Sequence, residues 1–296
     1  MENLIKFKQT CLLVIFVAAN LFAQSVYAQS SVWKVSKGGS YFYLGGTIHV
    51  LTASDHPLPD EFMTAYNDAD SVIFETDLAE VGTPQYQSKM LQTMTYNDGR
   101  TLASELTPET YAELEKFLAT RDIAIANFST FQPWGVALVL SIMEYQRLGM
   151  TGEFGVDMHF NHRALQDKKA IASLETPDEQ LTALASMSLL EPNQAIAMAL
   201  KDIERLPDFI NTMKTTWRNG DLNALLNIPL VSQMKVDTPA MYKALVVDRN
   251  NNWMQVLPSL MSSESIEFVM VGAMHLGGKE GLLYLLKQQG FKVEQL

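Results

Sequence analysis

The chain has 296 residues, 47 % of them hydrophobic and 19 % charged, a balance that supports a large packed core and excludes a disordered or collagen-like polymer. With 22 basic against 33 acidic residues the formal charge is −11, which argues against nucleic acid and an anionic membrane surface as partners, since both require a concentrated basic face. The single cysteine, Cys11, excludes an internal disulfide framework, a cysteine-ligated zinc site and an iron–sulfur cluster.

Lys6 and Lys8 precede an apolar run over 11–23, and Val26-Tyr27-Ala28 follows with residues that a signal peptidase accepts. Residues 1–28 therefore have the layout of a cleavable secretory signal peptide. The run is shorter than the roughly 20 residues of a membrane span, so no stable membrane insertion is expected after cleavage. Removal of 1–28 also removes Cys11, leaving 29–296 as a cysteine-free periplasmic or secreted domain.

Segments 31–35 and 41–48 read as strands joined at Lys37-Gly38-Gly39-Ser40, a hairpin signal. Short apolar runs at 71–74, 170–174 and 267–271 suit strands buried on both faces, and 291–293 is a final strand candidate. Between them the apolar period becomes helical. Thr107 and Pro108 open one helix, 133–148 is apolar nearly all round in its first half, and Thr176-Pro177-Asp178-Glu179 forms a capping box for a helix over 176–187. Further helices are expected at 191–203, 206–218, 239–261 and 279–289. No linker or repeat interrupts the chain. The expected fold is α/β: one domain over 29–296, its central mixed sheet built from N- and C-terminal segments, flanked by helices, with a large helical middle region.

The residues after each strand carry the chemistry. One strand ends Gly46-Thr47-Ile48-His49, the next at Glu75, the next at Glu175, and the last apolar one at Gly272-Ala273-Met274-His275. In an open α/β sheet, ligands bind outside the carboxyl ends of the strands, so these four side chains are expected to converge. Two imidazoles with one or two carboxylates suit a divalent Zn, Mn, Co or Fe ion. Such an ion lowers the pKa of bound water, and a glutamate takes its proton; the sequence leaves open which glutamate is ligand and which is base. Arg249 lies on the helical series Met241, Leu245, Arg249, Trp253, where it either clamps a substrate carboxylate or oxyanion or pairs with Asp77 or Asp157. Asp157 is expected to support a ligand from a helix terminus. His159 and His162 are read as incidental and His56 as a loop residue. No H-E-x-x-H, G-x-S-x-G or Walker loop is present.

Several blocks go beyond generic chemistry. Trp33-Lys34-Val35, the stretch 43–50, Glu75-Thr76-Asp77, Pro133-Trp134, Glu153-Phe154-Gly155-Val156-Asp157, Leu174-Glu175-Thr176, Arg249-Asn250 with Trp253, and Val271-Gly272-Ala273-Met274-His275-Leu276 resemble the TraB/GumN family in kind and order. The resemblance spans about the whole of 29–296. Relatives of that family include Tiki-type metalloproteases, which combine paired G-x-x-H motifs and acidic residues with a divalent metal. The resemblance implies a metal-dependent hydrolase of peptide or protein substrates, with His49, Glu75 and His275 as metal and catalytic core and Glu175 and Arg249 as further catalytic candidates. The competing class is a non-catalytic periplasmic protein that captures a peptide signal or haem in the same cleft.

Overall fold

The chain reverses between β1 (Val32–Lys37) and β2 (Ser40–Thr47) at Gly38 and Gly39, whose φ values of +62° and +98° lie in the left-handed region that a two-residue hairpin turn needs. The computed structural model describes residues 30–296, and the expected leader over 1–28 lies outside the described residues. Four more strands follow: β3 (Ser71–Phe74), β4 (Ala170–Ser173), β5 (Glu267–Gly272) and β6 (Lys292–Gln295). All six form one sheet in the order β4-β3-β5-β2-β1-β6. Pairing is parallel from β4 through β3 and β5 to β2, and antiparallel at β2–β1 and β1–β6. The fold is thus the expected mixed α/β type, with the sheet drawn from both ends of the chain. Because β2, β3, β4 and β5 run in parallel, the residues that follow them share one sheet edge.

Strand alternation divides the core between the two sheet faces. Phe268 and Met270 of β5 pack with Phe62, Phe160 and Trp217 on one face. Val269 and Val271 pack with Trp253, Leu282 and Leu286 on the other. A third cluster lies in the helical middle region, where Val136 and Leu140 meet Leu114, Leu118 and Ile196. The apolar helix Pro133–Arg147 is therefore a core element, and no helix among the described residues is long and apolar enough to cross a membrane. One expectation about burial is corrected. All four residues of β4 are exposed, because β4 is an edge strand with β3 as its sole sheet neighbour.

The expected helix starts are present. The Thr107 and Thr176 hydroxyls accept from the Thr110 and Glu179 N–H groups at 3.3 and 3.2 Å, and Glu179 completes its capping box by accepting from the Thr176 N–H at 2.8 Å. Two helix boundaries differ from expectation. Segments 191–203 and 206–218 form a single helix, Pro192–Arg218, that continues through Pro207. Proline removes one backbone hydrogen bond, but Ile196, Ile203, Ile210 and Trp217 form an unbroken buried stripe across it, and tertiary burial holds the helix together. Segment 239–261 instead divides into Pro239–Tyr242, a π-turn at Lys243–Val247, Asp248–Trp253 and a 3-10 stretch, Leu257–Ser262. The wide turn sits just before Arg249, and π-turns of this kind are frequent beside functional groups.

Trp217 links the long helix to the end of β2. Its ring is fully buried and its Nε1 donates to the Gly46 carbonyl at 2.7 Å. Trp217→Ala is expected to lower the unfolding free energy by about 3–5 kcal/mol, seen as a lower urea midpoint at unchanged slope.

Candidate functional site

Strand order brings the four expected side chains to one edge: Glu175 follows β4, Glu75 follows β3, His275 follows β5 and His49 follows β2. The two G-x-x-H motifs interlock there. A Cβ on Gly46 would come within 2.8 Å of Leu276 and 3.2 Å of Ala273, so the glycine of the first motif makes room for the second. A Cβ on Gly272 would lie 3.2 Å from Glu75 Oε1 and 3.4 Å from His49 Nε2. Both glycines lie within strands, so close approach, not a tight turn, explains them.

His49 and His275 are oriented in the same way by different partners. His49 Nδ1 is 2.8 Å from Asp157 Oδ2, and the other carboxylate oxygen accepts from the Thr47 hydroxyl at 3.0 Å. Asp157 is in the first turn of Val156–Asp167, with Gly155 at the helix start as expected. The Val156 N–H donates to the Ile48 carbonyl at 3.1 Å, which seats that helix end against the His49 backbone. His275 Nδ1 is 2.8 Å from Asn250 Oδ1. The Asn250 amide nitrogen donates to the carbonyls of His275 and Glu280 at 3.1 and 2.7 Å, so its oxygen accepts and His275 carries its proton on Nδ1. The Nε2 atoms of both rings then face Glu75 Oε1, at 4.0 Å from His49 and 3.8 Å from His275. Glu75 Oε1 also accepts from the Gly272 N–H at 2.6 Å.

Arg249 closes the cluster from the side of β3 and β4. Its Nη2 donates to Glu75 Oε2 at 2.6 Å and to Glu175 Oε1 at 2.5 Å, its Nε reaches Glu175 Oε2 at 3.0 Å, and its Nη1 donates to His275 Nε2 at 3.1 Å. Trp253 adds its Nε1–H to Glu175 Oε2 at 3.2 Å. The expected alternative partners of Arg249 are corrected. Asp77 accepts from the Ala79 and Glu80 N–H groups to cap Leu78–Val81, and Asp157 serves His49. Sequence reasoning missed Asn250, a fully buried polar residue whose place beside Arg249 on an apolar helix face was the available signal. His159, His162 and Glu153 line a separate groove with His56, outside the cluster.

The two imidazoles have opposite electrostatics. The Asp157 carboxylate raises His49 to about 9, with burial and Arg249 opposing, and the His49 side chain is 59 % exposed. Burial pushes His275 down to about 3, with Glu75 opposing and the charges of Arg249 and His49 adding to the shift, so its Nε2 stays unprotonated and accepts from Arg249. Burial works to raise Glu75, but Arg249, the histidines and the Gly272 N–H outweigh it and hold the carboxyl well below its usual range. Burial raises Glu175 against the opposing pull of Arg249.

In kind, this donor set fits a divalent first-row ion: two imidazole Nε2 atoms with fixed Nδ1 partners, and one carboxylate. In position, no group of three or more His, Cys, Asp or Glu among the described residues is set to hold an ion as it stands. Arg249 already donates to His275 Nε2 and Glu75 Oε2, so an ion would take those lone pairs from the guanidinium.

The His49–Asp157 pair carries a pH signature. A pKa raised from 6.5 to about 9 on folding contributes stability that is present below pH 6.5 and lost as pH rises through about 9. In the metal-free protein an NMR titration is expected to show His49 ionising near 9, and Asp157→Asn to lower that value by about 1 unit or more.

The chain matches the TraB/PrgY/gumN family over residues 31–295. It is 25 % identical over 254 residues to the uncharacterized protein YbaP of Escherichia coli (strain K12), covering 84 % of this chain and 89 % of YbaP. YbaP of Shigella flexneri is 24 % identical over the same shares of the two chains. No solved structure matches it. With the match spanning almost all of the described residues, the chain belongs to the TraB/PrgY/gumN family.

Proposed function

We propose that this chain is an exported, divalent-metal-dependent hydrolase, a peptidase of the Tiki kind, working at the His49–Glu75–His275 cluster. The observation that carries the proposal is the pairing of outer and inner hydrogen-bonding groups. Each imidazole has its Nδ1 fixed, by Asp157 or Asn250, while its Nε2 faces the same oxygen of Glu75. Metal-binding histidines are characteristically oriented in this way by a carboxylate or carbonyl partner. Export rests on the layout of residues 1–28.

His49, Glu75 and His275 would hold the ion, with Mn, Co, Zn and Fe all compatible with the donors. When bound, the ion supplies Lewis-acid polarisation of the scissile carbonyl and a lowered pKa for water. With Glu75 as an ion ligand, Glu175, whose carboxyl pKa burial raises, would be the base that takes the proton of the attacking water. Arg249 meets the negative charge that develops on the carbonyl oxygen. Glu175 also holds the guanidinium on two of its nitrogens. A peptide or protein supplies the bond hydrolysed, and the acidic balance of the chain disfavours nucleic acid.

Elemental analysis after reconstitution is expected to find about one ion per chain, lost in His49→Ala. The reconstituted protein is expected to cleave members of a peptide library and to stop on chelation. Glu175→Gln should lower kcat by about 10²–10⁴-fold. Arg249→Met should lower it by about 10²–10³-fold, without rescue by Arg249→Lys, which cannot bridge two carboxylates. A protein that takes up none of the four metals overturns the proposal.

A further inference from the structure

Three of the five histidines of the chain stand outside the strand-end cluster, and they stand together. His56, His159 and His162 line a groove of about 440 Å³ with Glu153 and Arg163. His56 closes the short turn Ala53–Asp55 in the loop that follows His49. His159 and His162 are three residues apart on the helix Val156–Asp167, so they share one helix face. Imidazoles thus reach this groove from two separate segments. His56 and His159 are half-buried and His162 is exposed, which leaves the groove accessible from solvent.

Two observations go beyond proximity. The His56 Nε2 lies 2.9 Å from the Phe154 carbonyl oxygen. A carbonyl only accepts, so Nε2 carries the proton and Nδ1 keeps a lone pair. A backbone carbonyl that fixes one ring nitrogen is a characteristic support of a metal-binding histidine. Independently, the rings of His56 and His159 are 5.2 Å apart between centroids and tilted by 47°. Two imidazoles on one tetrahedral ion, with metal–nitrogen distances of about 2.0–2.1 Å, set their centroids about 5 Å apart. The groove's guanidinium, Arg163, lies 3.7 Å from the Asp167 carboxylate, which offsets its charge, and Glu153 adds a negative one.

We propose that this groove is a second metal site, separate from the strand-end cluster, in which His56 and His159 bind a divalent late first-row ion, copper or zinc. No three such groups among the described residues surround one point as they stand; His162, exposed one turn along the helix, supplies the third ligand by rotation of its side chain. Imidazole favours copper and zinc, whereas magnesium and calcium prefer oxygen ligands. Bound there, the ion ties the loop after His49 to the helix that carries Asp157, the two segments already joined by the hydrogen bond between His49 and Asp157. It is a clip and not a reaction centre. An ion held mainly by two imidazoles at the surface exchanges with solvent, so titration counts it, while protein freed of excess metal keeps the strand-end ion alone.

Histidine side-chain NMR resolves the two sites, since the chain has five histidines in all. The full chain and its His49→Ala variant are titrated with Zn²⁺. In both, the ring signals of His56, His159 and His162 are expected to move together and to saturate. His56→Gln and His159→Gln should each weaken that binding about tenfold or more, at least what loss of a supporting partner alone costs. Mg²⁺ should move none of the three. Zn²⁺ should raise the urea midpoint of His49→Ala but not that of His49→Ala combined with His159→Gln. Signals of His56 and His159 that stay in place under excess Zn²⁺ overturn the proposal, as does an affinity unchanged in both glutamine variants. Movement of His162 alone, an adventitious surface contact, also overturns it. None of these readouts needs turnover or the strand-end ion, so the clip stands or falls apart from the hydrolase reading.

Discussion

The bridge made by Arg249 between Glu75 and Glu175 is the interaction on which the site depends. Two carboxylates at the ends of neighbouring strands, both buried, would repel each other and bear an uncompensated desolvation cost. One guanidinium answers both and donates to His275 Nε2 as well. A lysine at 249 would offer a point charge where a planar fork is needed. The same short helix, Asp248–Trp253, also supplies Asn250 to His275 and Trp253 to Glu175. Three of its six residues thus hold the site.

Around that bridge the two G-x-x-H motifs, alike in sequence, are placed in unlike surroundings. His49 is open to solvent beside a carboxylate and holds its proton, whereas His275 is buried against Trp253 and Arg249 and stays neutral. Environment, not residue type, separates their ionisation. A cation entering the cluster would take the His275 Nε2 lone pair from Arg249 and would displace a proton at His49. It would also compete with Arg249, which currently supplies the positive charge that Glu75 requires. The guanidinium thus stabilises the cluster and stands between the protein and any metal it binds.

Much of this was legible in the chain because the signals are local. Gly38-Gly39 needs a left-handed turn, Thr107 and Thr176 cap helices that begin with proline, and apolar runs end at His49, Glu75, Glu175 and at the motif leading to His275. These depend on residues within a few positions of one another, so a single sequence carries them. Asp157 was also readable as a support at a helix start, since Gly155 marks that start.

The remainder required contacts between residues far apart in sequence. Insertion of β5 between β3 and β2 is what brings His275 between Glu75 and His49, and no local pattern encodes that neighbour order. The exposed edge position of β4, the continuity of Pro192–Arg218 across Pro207, and the choice of Glu75 and Glu175 over Asp77 and Asp157 as partners of Arg249 are likewise tertiary outcomes. Local pattern sets which residues end each strand and what chemistry they carry. Which of them meet depends on strand order and burial, because these set the distances and desolvation that select one charge partner over another.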